Sequence, residues 1–195
     1  LSEQINMLPT NQSFLEYIEQ AYNAKPGQDT IALKQFTKQH QLVIQGQQLS
    51  KIYLIKEGIT KCFFYEDNDK EFIVEFLSKG EIIGEIEGIK KNRAMCTVEA
   101  ITDVEAYSMS VAYFRELLEK DLQFNHLLID VFAQRIINTA TRASFQQLYT
   151  VAHSLLKLQQ LIGKLDIKLS KDDMAAYLGI NIRSLNRALK ELGNE

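Results

Sequence analysis

Apolar residues recur at helical spacing through a run of about forty residues, Val111 to Tyr149, that holds neither proline nor glycine. Phe114, Leu117 and Leu118 stand at i, i+3 and i+4. Phe124, Leu127, Leu128, Val131, Phe132, Ile136 and Ile137 follow them. Such spacing predicts amphipathic helix, and Lys120-Asp121 predicts a break between a short helix and a long one. The apolar positions of the second helix cover more than one ~100° stripe, so it is expected to be covered on two sides. Two readings stand. It is an internal core helix, or it is a dimerisation helix joining two parts of different character.

Those parts differ in texture. Leu1 to Asn23 reads as a leader and a helix capped by Asn11 or Ser13, with Phe14, Leu15, Ile18 and Tyr22 inward. Pro26-Gly27 then breaks the chain. From Thr30 to Met109, short β-rich runs alternate with turn signals, as in a sandwich or barrel. The expected strands are Leu42 to Ile44, Lys51 to Ile55, Thr60 to Tyr65, Glu71 to Leu77, Met95 to Ile101 and Val104 to Met109, with Asp67-Asn68-Asp69 as a tight hairpin turn. A jelly roll fits this segment.

Beyond the long helix, Thr150 to Ile162 predicts an amphipathic helix closed by Gly163. Ser170-Lys171-Asp172-Asp173 has the form of a capping box. The helix it opens carries Met174, Ala175 and Leu178, Gly179 suits a tight turn, and Asn181 can cap a second helix. That helix turns Leu185, Ala188, Leu189 and Leu192 inward and Arg183, Asn186, Arg187 and Lys190 outward. This is a helix-turn-helix plan, with a second helix suited to a major groove. A solvated basic face is the plain alternative. As a reader, Arg187 would take a guanine edge, Asn186 or Arg183 bases or phosphate, and Ser184 phosphate.

Composition narrows the function. At 46% hydrophobic and 24% charged, the 195 residues read as an ordinary globular protein. A formal charge of −3 gives no global pull towards nucleic acid, so a DNA site must be a local basic patch. No run approaches the ~18 apolar residues of a membrane helix, and the N-terminus lacks a secretory plan. A cytoplasmic protein without a membrane partner is expected. Cys62 and Cys96 are too few for a cluster and make no disulfide framework, so each reads as a small buried hydrophobe. His40, His126 and His153 lie far apart, and no metal site is expected. No nucleophile or acid/base constellation assembles, so no catalytic residue is named and no enzyme is expected.

In this order, the parts resemble the cyclic-AMP receptor protein / fumarate-nitrate regulator (Crp/Fnr) family of bacterial transcription factors. The resemblance runs from about Phe36 to the end. It rests on Ile52-Tyr53-Leu54-Ile55-Lys56-Glu57-Gly58, Gly80-Glu81-Ile82-Ile83-Gly84-Glu85, Cys96 to Val104, and Leu169 to Leu192. It implies an α+β chain: a β jelly-roll sensor over 1–110, connecting and dimerisation helices over 111–148, and a helix-turn-helix unit over 149–195. The family's unit continues into a β-hairpin wing, which this sequence is expected to lack. Phe124, Leu127, Leu128, Val131, Phe132, Arg135 and Ile136 become the expected dimer interface.

The resemblance also assigns an effector cassette. In ligand-binding members a glutamate matching Glu85, after Gly84, holds the ribose, and an arginine followed by a hydroxyl residue holds the cyclic phosphate. Here Arg93 is followed by Ala94 and Met95 and sits one position off the family's arginine. Thr139 matches a base-contacting hydroxyl, but its neighbour Ala140 replaces a serine. Gly84, Glu85, Arg93 and Thr139 are therefore the candidate effector residues of a degenerate site, and no cyclic nucleotide is expected as cofactor. In the reader, Ile182 and Arg183 replace the family's arginine and glutamate, while Arg187 and Ser184 match. The implied partners are double-stranded DNA, a second copy of the chain, RNA polymerase and an unnamed small-molecule effector. The rival function is a sensor or partner-binding module that does not read DNA.

Overall fold

The computed structural model describes residues 11–24, 30–65 and 71–193, with only the backbone at 145. The leader, the Pro26-Gly27 break and the Asp67-Asn68-Asp69 turn lie outside the described residues. Helix α1 (Gln12–Ala24) starts where Asn11 accepts the Phe14 N–H at 2.9 Å. Among the described residues eight strands follow: β1 (Ile31–Phe36), β2 (Gln41–Val43), β3 (Lys51–Glu57), β4 (Thr60–Tyr65), β5 (Glu71–Leu77), β6 (Ile82–Ile83), β7 (Thr97–Ala100) and β8 (Val104–Ser110). Helix α2 (Glu85–Lys90) interrupts them after β6. One antiparallel sheet runs β1-β8-β3-β6 and the other β2-β7-β4-β5.

The roll closes because inward positions of both sheets alternate with outward ones, as the pleat requires. Its interior packs Ile55, Cys62, Leu77, Ile83, Val98, Ala100, Val104 and Ala106. Strands β1 and β6 are absent from the strands expected from sequence. β1 turns Lys34 and Gln35 to solvent, and β6 spans two residues.

Helix α3 (Val111–Lys120) and helix α4 (Leu122–Leu148) meet at Asp121, the predicted break. Asp121 ends α3 through its N–H on Leu117 O. Its carboxylate accepts the Phe124 N–H at 2.9 Å and the Tyr17 hydroxyl at 2.6 Å. One residue thus closes one helix, opens the next and ties both to α1.

The start of α4 is core. Phe124, Leu128 and Val131 are buried with Phe14, Leu15 and Ile18 of α1, Ile52 and Leu54 of β3, and Phe114 of α3. Phe124 meets the Phe14, Tyr17 and Phe114 rings at 5.4, 5.9 and 5.7 Å. Of the residues expected at the dimer interface, Phe124, Leu128 and Val131 are buried in the chain's own core, with Leu127 and Phe132 partly buried beside them. The outward apolar side of α4 is Leu122, Ile129, Ile136 and Ile137, Ile136 being 69% exposed.

Helix α5 (Val151–Leu165) is capped by Thr150 and runs past Gly163, which sits inside it rather than closing it; Asp166 ends it in the left-handed conformation. Helix α6 (Lys171–Leu178) is capped by Ser170 and helix α7 (Ile182–Glu191) by Asn181, as the sequence predicts. Between them Gly179 adopts φ 67°, a conformation that costs glycine little. These three helices share a core with Ile59, Phe63, Ile73 and Phe76 of the roll.

Candidate functional site

The turn that opens the cassette is set by Gly84. Its φ is 87°, and a Cβ there would meet Leu49 Cδ1 at 2.9 Å, so a side chain is disfavoured by both conformation and space. Glu85 follows as the first residue of α2 and is buried, as is Glu81 just before β6. Arg135 reaches them from α4. Its guanidinium donates to Glu85 Oε1, to Glu81 Oε2 at 2.8 and 3.1 Å, and to Ile82 O at 2.7 Å. Glu75 stands 4.0 Å away.

The electrostatics of this cluster follow from its burial. Burial works against the charge of Arg135, but Glu85, Glu75 and Glu81 outweigh it and hold the group protonated well above its ordinary range. Glu81 and Glu85 are pushed up, because burial exceeds the pull of the one guanidinium they share. Arg135, expected at a dimer contact, is thus the counter-ion of the cassette.

The other candidate effector residues do not join it. Arg93 is exposed and donates to Gly46 O at 3.0 Å. Thr139 lies exposed on α4, one turn beyond Arg135, and Ala140 is exposed beside it. Glu87 of α2 is buried and accepts the Met95 N–H at 2.9 Å, and Arg115 of α3 donates to Gly88 O at 2.9 Å. The cassette is therefore stitched to both α3 and α4.

In the C-terminal unit, α7 buries Leu185 and Ala188 and leaves Arg183, Arg187 and Lys190 exposed. Ser184 is half-buried, its N–H held by Asn181 at 2.8 Å. Asn186 is also half-buried and accepts from Lys171 Nζ at 3.0 Å, which ties this candidate base contact to α6. Ile182 packs against the unit's core.

This unit is docked on β4 and β5. Lys61 of β4 pairs with Asp173 of α6 at 2.8 Å, Glu71 at 3.1 Å and Glu99 at 3.7 Å. Burial opposes both charges, but the shared hydrogen bond wins: Lys61 is raised and Asp173 lowered from their ordinary ranges. Tyr177 stacks on Phe76 at 5.1 Å, and Arg142 of α4 lies over Tyr177 at 5.0 Å and Phe72 at 5.5 Å while donating to Ile73 O and Val74 O.

Sequence reasoning missed Arg135 as a cassette residue, the Lys61–Asp173 pair and the Arg142 clamp. Each joins positions fifty or more residues apart, and no local pattern carries such a signal. Cys62 and Cys96 are a further correction. They are joined as a disulfide with Cα atoms 6.3 Å apart, whereas their spacing reads as two isolated thiols. Among the described residues, no group of three or more His, Cys, Asp or Glu could hold a metal, and no helix is long and apolar enough to cross a membrane.

Comparison with known proteins agrees with this architecture. Residues 33–121 match the cyclic nucleotide-binding domain family. The cAMP-activated global transcriptional regulator Vfr of Pseudomonas aeruginosa is 24% identical, over 82% of this chain and 81% of its own. Among solved structures, the c-di-GMP responsive global regulator CLP of Xanthomonas campestris superposes with a TM-score of 0.73 at 17% identity, covering 84% of this chain and 87% of its own. A CRP/FNR-family transcriptional regulator of Thermus thermophilus gives 0.73 at 14% identity over 83% and 86%. Residues 33–121 thus resemble a cyclic nucleotide-binding domain, and the chain as a whole is similar in sequence and fold to transcription regulators of the Crp/Fnr family.

Proposed function

We propose that the chain is a homodimeric DNA-binding transcription regulator whose cassette no longer takes a cyclic nucleotide. Residues 1–110 act as the sensor, 111–148 as connecting and dimerisation helices, and 149–195 as the reader. The observation that carries the reading is α7, which sinks Leu185 and Ala188 into its own unit and presents Arg183, Arg187 and Lys190 outward. A helix so placed suits a major groove, with Ser184 near phosphate. Leu122, Ile129 and Ile136 of α4 are exposed and seven residues apart, the spacing of a helix-to-helix seam. A second copy on that seam would set two readers about one DNA turn apart, ~34 Å. Such a regulator also has RNA polymerase and a small-molecule effector as partners.

The test of the reader is a DNA shift series over genomic fragments. Arg187→Ala and Arg183→Ala should each weaken binding by ~1–3 kcal/mol, and the parent's affinity should fall steeply with salt. Unchanged binding by both variants refutes α7 as the reader. No binding even at low salt favours a sensor that does not read DNA.

The cassette reading rests on Arg93, which is exposed and bonded to Gly46 O, and on Glu85, which is already neutralised by Arg135. The two relatives named above are described as cAMP-activated and c-di-GMP responsive, so one scaffold serves different effectors. Cyclic AMP or cyclic GMP at millimolar concentration should leave the melting temperature of this chain unchanged. Stabilisation by more than about 2 °C would show a working site.

A further inference from the structure

We propose that Cys62 and Cys96 form a reversible thiol–disulfide site that sets how firmly the C-terminal unit is held on the roll. They are the chain's two cysteines, and the fold brings them together from β4 and from the bend before β7. Neither the cassette nor the reading helix uses them.

Their neighbours give the bond a consequence. Cys62 points into the roll, where it is 6% exposed. The residues on either side of it, Lys61 and Phe63, point the other way, into the docked unit: Lys61 pairs with Asp173, and Phe63 packs into the core shared with α5, α6 and α7. Cys96 follows Met95, whose N–H is fixed by Glu87 of α2, and precedes Thr97, whose hydroxyl accepts the Gln45 N–H at 3.1 Å. The bond therefore fastens the segment after the cassette to the strand that carries the docking residues. Opening it leaves β4 held there by its hydrogen-bonded ladder to β7, the Lys61–Glu99 pair and side-chain packing.

The chemistry fits the exposures. Cys96 is half-exposed and Cys62 buried, so Cys96 meets the oxidant and Cys62 resolves. The Cys96 thiolate attacks one sulfur of a low-molecular-weight disulfide such as oxidised glutathione, and the first glutathione leaves as thiolate. Cys62 then loses its proton and attacks the Cys96 sulfur, and the second glutathione leaves. Two protein S–H groups are lost, two glutathione thiols form, and no other oxidant is needed. Reduced glutathione reverses both steps.

The test uses the full chain equilibrated with reduced or with oxidised glutathione, then alkylated and mapped by mass spectrometry. The oxidised sample should lose both alkylatable thiols and yield a Cys62–Cys96 cross-linked peptide within single chains. Amide hydrogen exchange in β4 and α6 should be at least about tenfold slower in that sample than in the reduced one. Cys62→Ala should stop at a glutathione adduct on Cys96, and the Cys62→Ala/Cys96→Ala chain should exchange like the reduced parent under both conditions. Thiols that stay alkylatable in oxidised glutathione, a bond formed between chains, or equal exchange of α6 in the two states would each overturn the proposal. No DNA enters this experiment, so its failure and failure of the reader assignment are separate results.

Discussion

Arg135→Ala should lower the unfolding free energy by about 3–5 kcal/mol. The reason is what it leaves behind. Glu81 and Glu85 are both about 2% exposed, and without the guanidinium they are buried carboxylates with no compensating charge. Urea titration of the parent and the variant measures the loss. Arg135→Ala combined with Glu81→Gln and Glu85→Gln should recover much of it, since the buried charges are then gone.

A pH arm separates this cause from simple loss of packing. Glu81 and Glu85 are raised above 4.5 in the folded chain. The folded state therefore holds their protons more tightly, and stability falls as pH rises through the window from about 4.5 to the raised value. Removing Arg135 removes the pull that limits the rise, so the window widens towards neutrality. The variant's deficit should be smaller at mildly acidic pH than at neutral pH. Asp173 acts in the opposite sense and lower down. Its range is depressed below 3.8, and its contribution is lost only as pH falls through that depressed value. A deficit independent of pH would mean that Arg135 acts through its stem and not its charge.

The second large effect divides the two sides of α4. Phe124→Ala should cost about 3–5 kcal/mol of stability within one chain, because it empties a site walled by three aromatic rings and closed to solvent. Ile136→Asp should change the stability of a single chain by no more than about 0.5 kcal/mol. In the proposed dimer, however, it should raise the dissociation constant at least about thirtyfold, since the symmetric contact is lost from both copies. Sedimentation and urea unfolding of both variants give the answer. A dimer that survives Ile136→Asp would move the interface away from the exposed side of α4.

Much of this fold was legible because its signals are local. Asn11, Ser170 and Asn181 each hold an amide three residues on, and Asp121 marks the joint of two helices. Such features lie within one turn of sequence. The two apolar sides of α4 were legible as well, but not which side turns inward. Phe124 and Ile129 are equally apolar, and only the position of α1 and β3 decides that Phe124 is covered and Ile129 is not. The exposed basic face of α7 came from periodicity. The partners of Arg135, Lys61 and Cys62 did not, because strand pairing and domain docking bring them from distant positions, where spacing carries no information.

Where the C-terminal unit covers the sheet that carries β4 and β5, Ile59, Phe63, Ile73 and Phe76 pack into the core they share. A unit lifted clear of it would bare an aromatic and aliphatic surface to water, of the kind that drives self-association. Any rearrangement that repositions α7 is therefore cheapest as a slide or swivel across that surface. Variants that cut the unit away at the α4–α5 turn should be recovered as aggregates unless these four positions are made polar.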